Sequence, residues 1–149
     1  MANYGLLDVF LRFLHIASVA GLVGGAIYAR IALTPVLNAL PEPERAGAAR
    51  DAQARFRTPL FVLLILIVLS GLYQFMTGPK HTSSYQMWFG IKMLLVLHIL
   101  ATGILWATSP HGDVTVEGKG NRRLAGIVIS GLLAMLIAAY LRHLTLLGL

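Results

Sequence analysis

Apolar residues gather into four long runs, near Leu6–Leu37, Leu60–Phe75, Trp88–Ala107 and Leu124–Leu147, separated by short polar stretches. A hydrocarbon core of about 30 Å needs about 20 helical residues to cross it. Three of the runs reach that length alone, and Leu60–Phe75 reaches it with its flanks. The pattern predicts an all-α integral membrane protein, with residues 1–149 forming a single four-helix transmembrane bundle.

The polar positions mark the boundaries. Helix 1 is expected to start near Tyr4–Leu7 and to end before Asn38, with Pro35 kinking or stopping its last turns. The stretch Leu40–Arg57 is polar, and its alanine-rich part Ala46–Arg57, charged on most sides, reads as a short surface helix. Helix 2 is expected to begin around Thr58–Pro59, where proline suits a first turn, and to stop near Gly78–Pro79. A loop over Lys80–Tyr85 leads to helix 3 (Met87–Ala107). A Gly-rich loop over Ser109–Asn121 leads to helix 4, introduced by Arg122–Arg123.

Four crossings place both termini on one side, side A. Side B then carries Arg30, Arg45, Arg50, Arg55, Arg57, Lys119, Arg122 and Arg123, against Arg12, Lys80, Lys92 and Arg142 on side A. The excess of cations marks side B as cytoplasmic and the termini as periplasmic, in a bacterial inner membrane. No Lys or Arg precedes the first run, which is far longer than the apolar core of a signal peptide, so helix 1 is expected to be retained.

Hydrophobic residues make up 57% of the chain and charged residues 12%, which excludes a soluble domain and a disordered chain. The net charge of +6 does not signal nucleic acid, because the cations flank the apolar runs and form no single stripe. The absence of cysteine excludes disulfides, c-type haem attachment, cysteine-held iron–sulfur clusters and thiol catalysis. Five methionines without M-x-x-M clustering argue against copper transport, and Met76, Met87 and Met93 read first as packing. Phosphate loops, zinc-protease helices and Ser/His/Asp arrangements are absent.

Small residues recur every four positions at Gly21, Gly25 and Ala29, and at Gly126, Ser130, Ala134 and Ala138. Such faces let backbones approach closely in lipid, either within the bundle or at a homodimer seam.

The chemistry centres on histidine, since an ionisable side chain inside an apolar run is costly and tends to be functional. Asp8, Arg12 and His15 stack on one face of helix 1, which continues through Ser18 and Leu22. That stripe is either an interfacial Arg12–Asp8 network or a metal ligand with charged neighbours. His98 sits within Leu94–Leu105 with no charge within a turn. It either bonds a neighbouring helix or ligates haem iron. Helices 1 and 3 run in the same direction, so a haem b between them would take His15 and His98 as axial ligands. Their depths differ by about 5–8 Å at 1.5 Å per residue, which tilt absorbs in part. The propionates would point to side A, towards Arg12, Lys92, Arg142 and His143. Lys92 either snorkels to side A or meets the site from its edge, since six residues separate it in angle from His98. His81 and His111 read as solvated loop residues, and Arg30 as a side B anchor.

Four short segments carry a family resemblance: Phe13-Leu14-His15, Ile27-Tyr28-Ala29-Arg30, Leu69-Ser70-Gly71-Leu72-Tyr73 and Trp88-Phe89-Gly90-Ile91-Lys92. Together the segments, spread over helices 1 to 3, resemble the small membrane proteins that include the HemJ-type protoporphyrinogen oxidases and the copper-resistance D-type domains. The resemblance implies a b-type haem and makes His15 and Lys92 the functional pair, with Lys92 catalytic. The chain departs from the HemJ pattern at His98 and in the polar 40s–50s loop. The expectation is a membrane haem b protein in electron transfer, partnered by lipid, a quinone or another redox protein. The alternatives are a HemJ-type oxidase and a cofactor-free structural subunit of a larger complex.

Overall fold

The structure, a computed structural model, describes residues 5–77, 82–109 and 119–147. Among them are four helices long and apolar enough to cross a membrane: α1 (Leu6–Asn38), α2 (Glu44–Thr77), α3 (Ser83–Thr108) and α4 (Lys119–Leu147). The chain is thus a multi-pass membrane protein built as an all-α four-helix bundle. The expectations for His81, His111 and most of the Ser109–Asn121 loop fall outside the described residues.

Pro35 does not stop α1. The helix runs as α over Leu6–Tyr28, widens into a π-turn at Ala29–Leu33 and closes as α over Thr34–Asn38. Proline has no N–H for the carbonyl four residues back, and its ring crowds that carbonyl. Just before it, Thr34 donates its backbone N–H and its Oγ1–H (2.8 Å) to Ala29 C=O, five residues back. That pairing satisfies the widened turn.

Three expected boundaries are corrected, one of them at α3, which starts at Ser83 and not near Met87, so Ser83–Tyr85 are helical and not loop. The surface helix over Ala46–Arg57 and the second spanning helix are one uninterrupted helix, with Pro59 inside it and not at its first turn. Only the bond to the Arg55 carbonyl is forfeited, and the Pro59 ring is exposed on the outside, where it displaces no neighbour. At 1.5 Å per residue, 34 residues span about 51 Å. The arginine-rich first third therefore projects beyond a ~30 Å apolar core. It is held there by a small second core of Leu37 and Ala49, and by Gln53. The Gln53 Nε2 donates to Trp106 C=O (2.6 Å) and Ser109 C=O (3.1 Å), capping the end of α3. The fourth helix starts at Lys119, ahead of the expected arginine pair, so Lys119–Asn121 are helical and not loop.

Packing follows the small residues. α1 packs on α2 and α4, and α3 packs on the same two, so α1 and α3 face each other across the diagonal. A β-carbon at Gly25 would meet the Phe56 ring at 2.8 Å, and one at Gly131 would meet Val23 at 2.5 Å. The small-residue faces are used inside the chain at Gly25 and at Gly126, where a β-carbon would come 3.2 Å from the His98 ring. The core runs through Leu22, Ala26, Leu60, Leu64, Leu124 and Ile127.

Candidate functional site

Between α1 and α3, towards the end that holds both termini, lies a cavity of about 630 Å³. Its walls are apolar residues such as Val19, Leu64, Val96 and Met135, and its polar lining is Arg12, His15, Gln74, Tyr85, Lys92, Arg142 and Thr145. Three of these, Arg12, Lys92 and Arg142, are basic side chains, and the described lining contains no Asp or Glu. Among the described residues neither Lys92 nor Arg142 makes a hydrogen bond or ion pair. Asp8, the nearest acid on the α1 stripe, has its oxygens engaged by the Tyr73 hydroxyl (2.8 Å) and the Gly5 N–H (3.1 Å).

His15 is held by α2. Its Nδ1 lies 2.9 Å from Ser70 Oγ, and Ser70 donates its own proton to Leu66 C=O. An oxygen that donates its only proton elsewhere must accept here, so Nδ1 carries the hydrogen. Nε2 is therefore the bare nitrogen, and it makes no hydrogen bond among the described residues. The ring edge fits because position 71 is glycine: a β-carbon there would come within 3.1 Å of His15 Cε1. The Lys92 ammonium lies within electrostatic reach of the same ring.

The expected site residues separate into two groups. Arg12, His15, Lys92 and Arg142 meet at the cavity. His98 and His143 do not line it. His98 turns to the outer seam between α3 and α4, where its Nδ1 lies 2.8 Å from Ser130 Oγ and its edge lies over Gly126. The reason is angular: six residues at about 100° each rotate His98 about 240° from Lys92. With Lys92 towards the cavity, His98 faces away from it, and the two histidines do not come together. His143 is exposed near the end of α4. Met76, Met87 and Met93 are exposed on the outside, while Met135 lines the cavity.

Sequence reasoning missed Ser70 as the anchor of His15, although the Ser-Gly pair at 70–71 was visible. It also missed the aromatic wall at the cavity's outer end, where Phe75 and Phe89 stack at 4.5 Å and Tyr85 lies parallel to Phe89 at 6.3 Å. No spacing rule links aromatic residues on two different helices before their packing is known. Neither a protein-family model, nor a curated protein, nor a solved structure matches the chain, so the site stands on its own geometry.

Proposed function

We propose that this membrane protein holds a b-type haem in the cavity between α1 and α3 and serves in electron transfer in a bacterial inner membrane, between a quinol and another redox protein. One observation carries the reading: a bare imidazole Nε2, fixed by Ser70, at an apolar cavity whose described lining has three basic side chains and no carboxylate. Lys92 and Arg142, without a hydrogen bond or ion pair among the described residues, put positive charge at the cavity that is expensive inside a membrane, which calls for an anionic occupant. The cavity volume lies within the usual range for cofactor sites.

The residues suit the group. His15 offers Nε2 to the iron, and the Nδ1–H bond to Ser70 orients the ring and makes Nε2 more basic. Lys92, Arg12 and Arg142 neutralise carboxylates, most strongly where water is excluded. Val19, Leu64 and Val96 keep water out and so help to set the potential. The bound group would supply the one-electron chemistry of its iron. His15 is the one imidazole among the described lining residues, so it alone would supply a ring nitrogen to the iron.

The test is a visible spectrum of the detergent-purified chain, expressed with haem supply. A Soret band is expected in the parent protein, lost in His15→Ala and kept in His98→Ala. A colourless parent protein overturns the reading and leaves the cofactor-free structural subunit. A second reading is favoured by the shared cavity of His15 and Lys92: oxidation of a porphyrinogen of the HemJ type. It predicts that Lys92→Ala abolishes porphyrinogen oxidation while the haem band survives.

A further inference from the structure

The α1–α2 and α3–α4 hairpins line the cavity in matching register. Every α3 lining residue except Tyr85 follows an α1 lining residue by 77 positions: His15 pairs with Lys92, Val19 with Val96 and Leu22 with Ile99. Every α2 lining residue precedes an α4 lining residue by 67 positions: Ile67 pairs with Ala134, Gly71 with Ala138 and Phe75 with Arg142. Helical periodicity alone also accepts shifts of one turn: offsets of 73 or 80 still match four α3 residues, and an offset of 71 matches all five α2 residues. Burial selects the register, because the buried Leu64 and Ile67 meet the buried Gly131 and Ala134 at 67 but the part-exposed Met135 and Ala138 at 71. The core repeats the match, with Leu60 and Ile127, Ala26 and Gly103, and Ala29 and Trp106 buried at these offsets. The seams repeat it too. A β-carbon at Gly21 would touch Leu63 at 3.5 Å, and the counterparts of these two positions are the bonded His98 and Ser130.

We infer that the cavity lies on an internal two-fold axis relating the two hairpins, that Lys92 is the counterpart of His15, and that Ser70 and Gly71 are the positioning residues that make position 15 an imidazole site. The second hairpin has Ile137 and Ala138 where the first has Ser70 and Gly71. Ile137 offers no acceptor for a ring N–H, and the Ala138 methyl occupies the space that the His15 edge takes over Gly71. Position 92 therefore suits a flexible ammonium and not a locked ring. One half supplies a Lewis-basic nitrogen and the other a mobile cation, on the axis between repeats where membrane transporters also place their ligands. The consequence for the occupant rests on the haem reading. The symmetry and the roles of Ser70 and Gly71 do not.

The test needs no haem. Ring-nitrogen NMR of the full chain, ¹⁵N-labelled at histidine and read above the imidazole titration range, reports the tautomer, with His15→Gln assigning the signals. The parent protein should show His15 protonated at Nδ1. Ser70→Ala should lose that preference, and Ser70→Thr, which keeps the hydroxyl, should retain it. In Lys92→His with Ile137→Ser and Ala138→Gly, the imidazole introduced at position 92 should show the same Nδ1-protonated signature, whereas Lys92→His alone should not. A His15 protonated at Nε2, or one indifferent to Ser70→Ala, overturns the positioning roles. An introduced imidazole without the signature overturns the equivalence. The axis has a second test that leaves the cavity intact. The chain has no cysteine, so spin labels attach only where cysteine is placed. Ala17→Cys with Leu69→Cys, and their counterparts Leu94→Cys with Leu136→Cys, all exposed positions, should give matching interspin distances. Distances that differ by a helical turn or more overturn the axis. A colourless protein that passes both tests would refute the haem reading and leave this inference standing.

Discussion

Replacing Gly131 by alanine tests the packing that shapes the cavity. Gly131 lies where α4 crosses α1, and a β-carbon there would come 2.5 Å from Val23 Cγ2. Val23 is only 4% exposed. A valine in a helix has one strongly preferred χ1 rotamer, so its methyl cannot swing aside and the two helices must part. Overpacking of this kind costs about 1–3 kcal/mol. Alanine also brings a helix-propensity gain of about 1 kcal/mol over glycine, which works the other way. The net is a loss of roughly 0–2 kcal/mol. Gly90 is the control, because a β-carbon there meets nothing within 4 Å. Gly90→Ala should keep the propensity gain alone, leaving the two variants about 1–3 kcal/mol apart. The assay is thermal unfolding in one detergent, followed by helical circular dichroism. Gly131→Ala should melt below both the parent protein and Gly90→Ala. If it melts at or above Gly90→Ala, close approach at Gly131 does not set the α1–α4 spacing.

Gln53→Leu strips the cap from two carbonyls at the end of α3 and should cost about 1–3 kcal/mol in the same unfolding assay, with faster hydrogen exchange around Trp106. Thr34→Val removes the hydroxyl bond to Ala29 C=O beside the π-turn, and should lower stability by about 1 kcal/mol. His98→Ala breaks the bond to Ser130 and should cost about 0.6 kcal/mol, the usual worth of an interhelical bond in a membrane protein. The same variant should leave any haem spectrum unchanged.

The site has the economy expected of a polar group inside lipid. Tyr73 ties Asp8 to α2, and Ser70, about one turn earlier on the same helix, ties His15 to it. Each bond satisfies a polar atom and joins α1 to α2. Lys92 and Arg142 are left facing the cavity without such partners among the described residues. The contrast separates the groups that join α1 to α2 from those that, in the proposed function, would meet the bound group.

The apolar runs alone specified four membrane-crossing helices, because a bilayer admits only backbones that satisfy their own hydrogen bonds. The proline at position 35 announced an irregularity, and glycines 21 and 25 announced a close helix contact. Continuity through Pro59 was not legible. Whether a proline starts a helix or sits inside one depends on what surrounds its ring, and here the ring faces outward. The sequence also marked His15, Lys92, Arg12 and Arg142, since each is an ionisable residue in an apolar segment. It paired His15 with His98 as axial ligands, whereas the structure brings Lys92 to the cavity and leaves His98 at the α3–α4 seam. Both lie on α3, and only the rotation of that helix, decided by how its small and large faces pack on α2 and α4, turned one towards the cavity and the other away.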